Sequence, residues 1–255
     1  MNRLARLLAP WVLIAVLLGV WQVACAALRV PTYFLPAPSA IAGALVQNAP
    51  SLAMAAWRTF SMALEALIAA SLFATLLAAG VAASRTLDQA VRPLAVALQV
   101  TPIVAVAPLF VIWAGVDHPG RAIVALATIA AFFPIFSGMA RGLASADPDL
   151  ERLFDLYGAS GWQRLLRLRI PSATPFVIEG HKVAAGAAII GAVVAEFVAG
   201  SGGSQGLAWR IMEAGNRLQT AKMFAAIITL ALMAAILHAL FQSLERRALV
   251  WWRGR

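Results

Sequence analysis

The stretch LYGASGWQRLLRLRIP, residues 156–171, is the most polar and most basic part of a chain that is otherwise mostly apolar. Three arginines, Arg164, Arg167 and Arg169, lie within six residues of one another, and long apolar runs precede and follow them. A compact basic segment between apolar runs of this length is typical of a loop that joins two membrane spans. The stretch therefore predicts an all-α protein that crosses a membrane several times.

The composition of the whole chain points the same way. Of its 255 residues, 62% are hydrophobic and 12% are charged, whereas soluble domains carry about 25% charged residues. The net charge of +9 is explained by basic loops at the inner face of a membrane, so we expect no nucleic-acid partner. Cys25 is the sole cysteine and no Cys/His cluster has metal-ligand spacing, which predicts neither an internal disulfide nor a metal site.

The apolar runs predict six spans, most of them close to the roughly 20 residues that cross a bilayer. They are about residues 8–28, 59–83, 93–115, 122–141, 176–199 and 223–244. The first run could be a signal peptide, but it is longer than the apolar part of a typical one, and we interpret it as an uncleaved span. We assign residues 1–255 to a single transmembrane domain.

The distribution of basic residues predicts the orientation of these spans. If the N-terminus is inside the cell, thirteen arginines lie in inside segments, while five arginines and one lysine lie in outside segments. The inside residues are Arg3, Arg6, Arg85, Arg92, Arg141, Arg152, Arg164, Arg167, Arg169, Arg246, Arg247, Arg253 and Arg255, and the outside residues are Arg29, Arg58, Arg121, Arg210, Arg217 and Lys222. Because basic residues concentrate on the cytoplasmic side, both termini and the loop between spans 4 and 5 are predicted to be cytoplasmic.

This loop, residues 147–171, is called the loop segment below, and its first half predicts a short helix. Asp147 is suited to the N-cap and Pro148 to the first helical position. One apolar stripe recurs at helical spacing; it consists of Leu150, Leu153, Phe154 and Tyr157. Gly158 suits the left-handed residue that ends a helix. The pattern predicts a helix that stops at a glycine turn.

The second half of the loop segment predicts another short helix. Ser160 and Gln163 have the spacing of a capping box, and Pro171 is predicted to close the helix. Trp162, Leu165 and Leu166 would form its apolar side. Two interpretations stay open: a helix pair lying on the inner leaflet with arginines near anionic head groups, or a docking site for a soluble cytoplasmic partner.

The spacing in this segment resembles the "EAA" loop of ABC-importer inner-membrane permeases. That loop reads EAA, three residues, Gly, nine residues, I-x-L-P. Gly158 is followed after nine residues by Leu168-Arg169-Ile170-Pro171, which matches the glycine, both apolar positions and the proline. Arg152-Leu153-Phe154 replaces Glu-Ala-Ala, so Glu151 and Asp155 are the candidates to take the place of the family's glutamate.

The resemblance extends over most of the chain. The segments VPTYFLPAPSAI (30–41), GASGWQRLLRLRIPSATPFVIEG (158–180), GAVVAEFVAGSGGSQGL (191–207) and LERR (244–247) are similar to permeases of the nitrate, taurine and sulfonate type. RLFDLYGAS (152–160) is similar to members that carry thiamine-precursor pyrimidines or riboflavin. The resemblance implies a bacterial inner-membrane permease for a small solute of one of these classes.

The same resemblance implies the partners of the chain. Such permeases pair as homodimers, dock a cytoplasmic ABC ATPase dimer, and receive substrate from a periplasmic or lipid-anchored binding protein. The chain has no GxxxxGK[ST] phosphate loop. We therefore expect it to have no catalytic residues and no cofactor of its own, with ATP bound and hydrolysed by the partner subunit.

Residues for ATPase coupling follow from the resemblance of the loop segment. The candidates are Phe154, Leu156, Tyr157, Gly158, Ala159, Trp162, Arg164 and Pro171. Arg164, like Arg167, has two possible roles: contact with an acidic ATPase surface, or attraction to the charged membrane surface.

Residues for a translocation pathway are expected among the polar groups inside the spans. Intramembrane carboxylates indicate function, which selects Glu65 and Glu196, while Gln99 and Thr101 lie next to Pro102 and could line a polar pathway. Each has a plainer interpretation as a solvated end residue or a helix–helix hydrogen bond. An alternative function, a secondary transporter or channel with an interfacial amphipathic loop, would need paired intramembrane charges or inverted repeats, and neither is evident.

Overall fold

The computed structural model describes the backbone of residues 3–115, 118–199 and 205–253, and no strand occurs among them. The α-helices are α1 Arg3–Ala27, α2 Pro38–Gln47, α3 Ala49–Ala83, α4 Arg85–Val100, α5 Ile103–Ala114, α6 Pro119–Leu143, α7 Pro148–Leu156, α8 Gly161–Arg164, α9 Ile170–Ala199, α10 Leu207–Asn216 and α11 Thr220–Arg253. A π-helical turn, Leu165–Arg169, joins α8 to α9. The predicted all-α fold is confirmed. Residues 200–204, within the segment GAVVAEFVAGSGGSQGL (191–207), lie outside the described residues.

Five helical segments among the described residues are long and apolar enough to cross a membrane. They are Leu8–Ala27, Ala49–Ala83, Pro119–Leu143, Gly161–Ala199 and Thr220–Val250. A sixth crossing is possible only if α4 and α5 together form one span, although they are bent by 98° at the break between them. The expectation of about six spans agrees with this count, while the N-in, C-in orientation stays a prediction.

The bend between α4 and α5 falls inside the third predicted span. Thr101 is extended at this point, with φ −70° and ψ 123°, and Pro102 follows it. A proline disfavours the helical conformation of the residue before it and supplies no N–H of its own. The structure therefore has a full break within the predicted span 93–115.

Pro171 has the opposite outcome, and the prediction that it closes the second loop helix is wrong. Helical structure runs without interruption from Gly161 to Ala199. In the π-helical turn before the proline, the Ile170 N–H bonds the Leu165 carbonyl, five residues back. The wider π turn shifts the bonding pattern before Pro171, so the missing N–H and the ring do not end the helix.

The chain divides into two compact units. The first comprises Met1–Trp57 and Gln205–Ala231, and the second Arg58–Ser204 and Leu232–Arg255. In the first unit, the Trp21 and Phe224 rings lie 6.1 Å apart between centroids. The Thr220 hydroxyl donates to the Thr32 carbonyl at 2.8 Å. These contacts hold the end of α1 and the loop after it against the start of α11.

The core of the second unit is the packed pair α6 and α9. Gly138 lies so close to α9 that a Cβ there would be 2.7 Å from the Phe176 carbonyl oxygen. A Cβ on Gly191 would be 2.9 Å from the Ala127 Cα. Small residues allow helix backbones to approach closely. Such van der Waals packing matters in lipid, because burying apolar side chains there provides little hydrophobic free energy. The two helices that flank the loop segment are therefore in direct backbone contact.

Candidate functional site

The first helix of the loop segment begins as its sequence predicts. The Asp147 carboxylate accepts a hydrogen bond of 2.8 Å from the Asp149 N–H, and Pro148 occupies the first turn. Asp149 and Glu151 also lie in the first turn, where negative charge favours the helix dipole. The predicted N-cap is confirmed.

The turn after α7 is a Schellman motif built on Gly158. The Ala159 N–H donates to the Phe154 carbonyl and the Gly158 N–H to the Asp155 carbonyl, both at 3.0 Å. Gly158 has φ +62°, a left-handed conformation that glycine adopts without steric cost. No atom lies within 4 Å of where its Cβ would be. The predicted glycine turn is confirmed, and its surroundings are open.

The second helix begins with the predicted capping box. The Gln163 N–H donates to the Ser160 hydroxyl at 3.3 Å, and the Ser160 N–H donates to the Gln163 side-chain oxygen at 2.9 Å. Both orphan donors are thus satisfied within four residues. The turn at Gly158 therefore lies between the C-terminus of α7, which is capped by backbone hydrogen bonds, and the N-terminus of α8, which is capped by reciprocal hydrogen bonds of the capping box.

Large apolar side chains are exposed around this turn. Leu156 is 84% exposed, Tyr157 82% and Trp162 68%. Phe154 is half-buried and lines a groove of about 290 Å³, together with Leu153, Tyr157, Ala159, Gln163 and Arg167. A cluster of exposed apolar groups on a well-capped frame is typical of an interaction surface.

Arg164 is occupied within the loop segment. Its guanidinium forms an ion pair with the Asp155 carboxylate and lies 3.3 Å from Oε2 of Glu151. Glu151 also accepts a 2.7 Å hydrogen bond from Nε of Arg169. The sequence analysis missed these three-way contacts. A sequence signal for these contacts does exist: an acidic and a basic amphipathic helix are joined by a tight turn, which brings their charges together.

Two of the candidate pathway residues lie at the α4–α5 break. Gln99 and Thr101 are both exposed, and the Thr101 hydroxyl donates to the Ala97 carbonyl at 2.7 Å. The Thr101 hydroxyl is therefore bonded within its own helix, while the Gln99 amide is directed to the surface of the unit.

The two candidate carboxylates have contrasting surroundings. Glu65 is exposed and lines an open cavity of about 580 Å³ with His118 and Arg121. Glu196 is only 2% exposed, and the Thr59 hydroxyl lies 3.4 Å from each of its carboxylate oxygens. Glu196 thus connects α9 to α3. Among the described residues, no group of three or more His, Cys, Asp or Glu side chains could hold a metal ion.

Comparison with known proteins identifies the family. The model of the family described as "Binding-protein-dependent transport system inner membrane component" matches residues 70–250. This match includes the loop segment and the α6–α9 pair, and the chain belongs to this family. It is accordingly a multi-pass inner-membrane protein and the permease component of a binding-protein-dependent ABC importer.

Relatives match over nearly the full chain. A probable ABC transporter permease protein of Haemophilus influenzae is 30% identical over 233 residues, covering 91% of this chain and 93% of the relative. The formylaminopyrimidine transport permease protein ThiX of Halalkalibacterium halodurans is 30% identical, covering 98% of each chain. The riboflavin transport system permease protein RibX of Chloroflexus aurantiacus is 34% identical, covering 94% of this chain and 88% of the relative.

Proposed function

We propose that this permease forms the pathway for a small organic solute and docks a separate cytoplasmic ATPase through its loop segment. The names of relatives support two solute classes: riboflavin or formylaminopyrimidine on one side, and aliphatic sulfonates or taurine on the other. ATP is bound and hydrolysed by the partner, and the chain carries no cofactor of its own. A second copy of the chain and a periplasmic or lipid-anchored binding protein complete the importer.

The exposed apolar tip of the loop segment is the observation that carries the docking proposal. Leu156, Tyr157 and Trp162 project from the two helices that meet at Gly158. Burying them against a protein removes about 25 cal/mol of unfavourable free energy per Å² of apolar surface. Because both helices are capped, the tip keeps its shape without a partner, which lowers the entropic cost of docking.

The position of the tip between α6 and α9 supports coupling as well as docking. ATP can bias the membrane helices only if the ATPase contacts differ between two states. The loop segment follows α6 and leads into α9, and these helices are packed backbone to backbone at Gly138 and Gly191. A displacement of the tip is therefore transmitted to both helices together.

Translocation itself is proposed to involve the polar groups Glu65, Gln99, Thr101 and Glu196. Gln99 and Thr101 are supported by their exposure beside a break in α4–α5, because interrupted helices in transporters line cavities. Glu65 is supported by the open cavity that it lines. For Glu196, the buried contact with Thr59 favours a role in holding α3 and α9 together.

Co-purification with the ATPase tests the docking proposal. The chain and its partner ABC ATPase from the same organism would be co-expressed, and the ATPase retained in detergent would be measured for wild type and Gly158→Trp. We expect the variant to insert normally but lose the ATPase, because an indole at φ +62° both strains the turn and covers the tip. Gly115→Trp is the matched control, since Gly115 also has positive φ and open surroundings. Equal retention by all three proteins would show that the interface lies elsewhere.

A further inference from the structure

The π-helical turn Leu165–Arg169, within the loop segment, is the joint between α8 and α9. Backbone bonds in such a turn reach five residues back, and single π turns inside helices often lie at functional sites. Helices also kink where their regular bonding is interrupted. A displacement that enters at the α7–α8 tip reaches α9 along the chain only through this turn.

One carboxylate contacts both ends of the joint. Oε1 of Glu151 accepts a 2.7 Å hydrogen bond from Nε of Arg169, the last residue of the π turn. Oε2 of Glu151 lies 3.3 Å from the guanidinium of Arg164, the residue just before the turn. A single side chain from α7 thus spans the π turn.

The surroundings of Glu151 favour a strong interaction. Its side chain is 20% exposed, whereas that of Asp149, which pairs with Arg152 within α7, is 85% exposed. Exposed pairs of this kind contribute little, because water and salt screen them, while a carboxylate shielded from water interacts more strongly with its partners. Arg164 is further fixed by its ion pair with Asp155.

We propose that Glu151 is a positioning residue that braces the π turn, so that α7, α8 and α9 move as one body. The inference rests on the proposed coupling role of the loop segment. Without the brace, the π turn would act as a hinge, and motion of the tip would be absorbed before it reached α9. The importer would then keep its ATPase but lose transport.

Distance measurements within the chain test the brace. Spin labels would be placed at Leu156→Cys on the tip and Ile190→Cys on α9, both exposed positions, in a Cys25→Ala background in lipid nanodiscs. Labelled chains would be co-assembled with excess unlabelled chains, so that only distances within one chain contribute. We expect one narrow distance peak for the wild type and loss of that peak for Glu151→Gln.

Matched variants separate the brace from a general effect of charge. Asp149→Asn removes a neighbouring carboxylate from the same helix and is expected to keep the narrow peak. Arg169→Lys retains the charge that faces Glu151 and is expected to keep the peak, whereas Arg169→Gln is expected to lose it. If Glu151→Gln fails to fold, the Arg169 pair of variants decides the question.

Three results would overturn the inference: a broad distribution in the wild type, a narrow peak in Glu151→Gln, or equal broadening in Asp149→Asn. The distance measurement does not involve the ATPase. Failure of the wild-type chain to retain the ATPase would therefore count against the proposed function. The width of the distance distribution between the labels decides separately whether Glu151 braces the joint. In the complete importer, Glu151→Gln is expected to retain the ATPase and lose solute uptake.

Discussion

Two prolines in this permease, Pro102 and Pro171, have opposite effects on the helices around them. At Thr101-Pro102 the chain leaves the helical conformation, and α4 and α5 meet at a bend of 98°. At Ile170-Pro171 the residue before the proline stays helical, with φ −64° and ψ −48°, and the helix continues to Ala199. The same residue type therefore breaks one helix and is accommodated in the other.

The difference lies in what surrounds each proline. Pro171 is the second residue of α9, which is packed closely on α6. The π turn just before it is spanned by Glu151. At the α4–α5 break, Gln99 and Thr101 are exposed. Tertiary contacts can override the local preference of a proline, and such contacts flank Pro171.

The largest effect is expected from disturbing the packing of α9 on α6. Gly138→Val would place side-chain atoms where even a Cβ lies 2.7 Å from the Phe176 carbonyl oxygen, and overpacking of this kind costs about 3 kcal/mol. Gly186→Val is the control on α9, because open space surrounds Gly186. Thermal unfolding in nanodiscs should show a lowered midpoint for Gly138→Val alone, and equal midpoints would contradict the close approach.

Replacing each proline should show that Pro102 causes the bend between α4 and α5, whereas Pro171 does not determine the path of α9. Pro102→Ala restores an N–H and frees Thr101 to become helical. The distance between labels at Leu94 and Ile112 should then rise from roughly 17 Å toward about 27 Å, the length of a straight helix over that span.

Two further proline variants complete this test. Pro108→Ala, inside α5, should leave the Leu94–Ile112 distance unchanged. Pro171→Ala should leave the path of α9 unchanged, as judged by labels at Leu156 and Ile190. An unaltered distance in Pro102→Ala would mean that contacts of α4 and α5, rather than the proline, hold the bend.

A smaller effect is expected from the cap that leads into the π joint. Ser160→Ala removes the acceptor of the 3.3 Å bond from the Gln163 N–H and costs about 1 kcal/mol. Local opening of α8 should then increase amide hydrogen exchange roughly fivefold over Gly161–Arg164. Ser243→Ala, in α11, is the control and should leave this exchange unchanged. Unchanged exchange in Ser160→Ala would show that the capping box does not stabilise α8.

The smallest effect concerns a contact beside Pro171 itself. The Trp252 indole donates a 2.8 Å hydrogen bond to the Pro171 carbonyl at a partly exposed site. Trp252→Phe should cost about 0.5 kcal/mol, the low end for a hydrogen bond, and speed amide exchange at the start of α9 about twofold. Trp113→Phe, which replaces a tryptophan on α5, is the control and should leave this exchange unchanged. Unchanged exchange in Trp252→Phe would show that the hydrogen bond from α11 does not stabilise the start of α9.

Local rules predicted the features that depend on neighbouring residues. Asp147, Gly158 and Ser160 act on backbone groups two to five residues away, so their spacing in the sequence is enough to place them. The all-α class followed equally directly from the apolar runs. The same local rules failed at Pro171, because a π turn depends on contacts with other parts of the chain.

Contacts between distant residues could not be predicted in this way. The pairing of Glu151 with Arg169 joins residues 18 apart in sequence, and that of Thr59 with Glu196 joins residues 137 apart. Many partners of opposite charge or complementary polarity are available at such separations. Only the arrangement of the helices selects among them, and a single sequence does not specify that arrangement.

The close packing of α9 on α6 has a mechanical consequence. α9 has 30 residues and is therefore about 45 Å long. If α9 tilts as one rigid helix, a tilt of roughly 5° at its Ile170 end displaces its far end by about 4 Å. Glu196 lies near that end, 3.4 Å from the Thr59 hydroxyl. A small rotation at the Ile170 end of α9 is thus amplified along the helix and displaces Glu196 relative to Thr59.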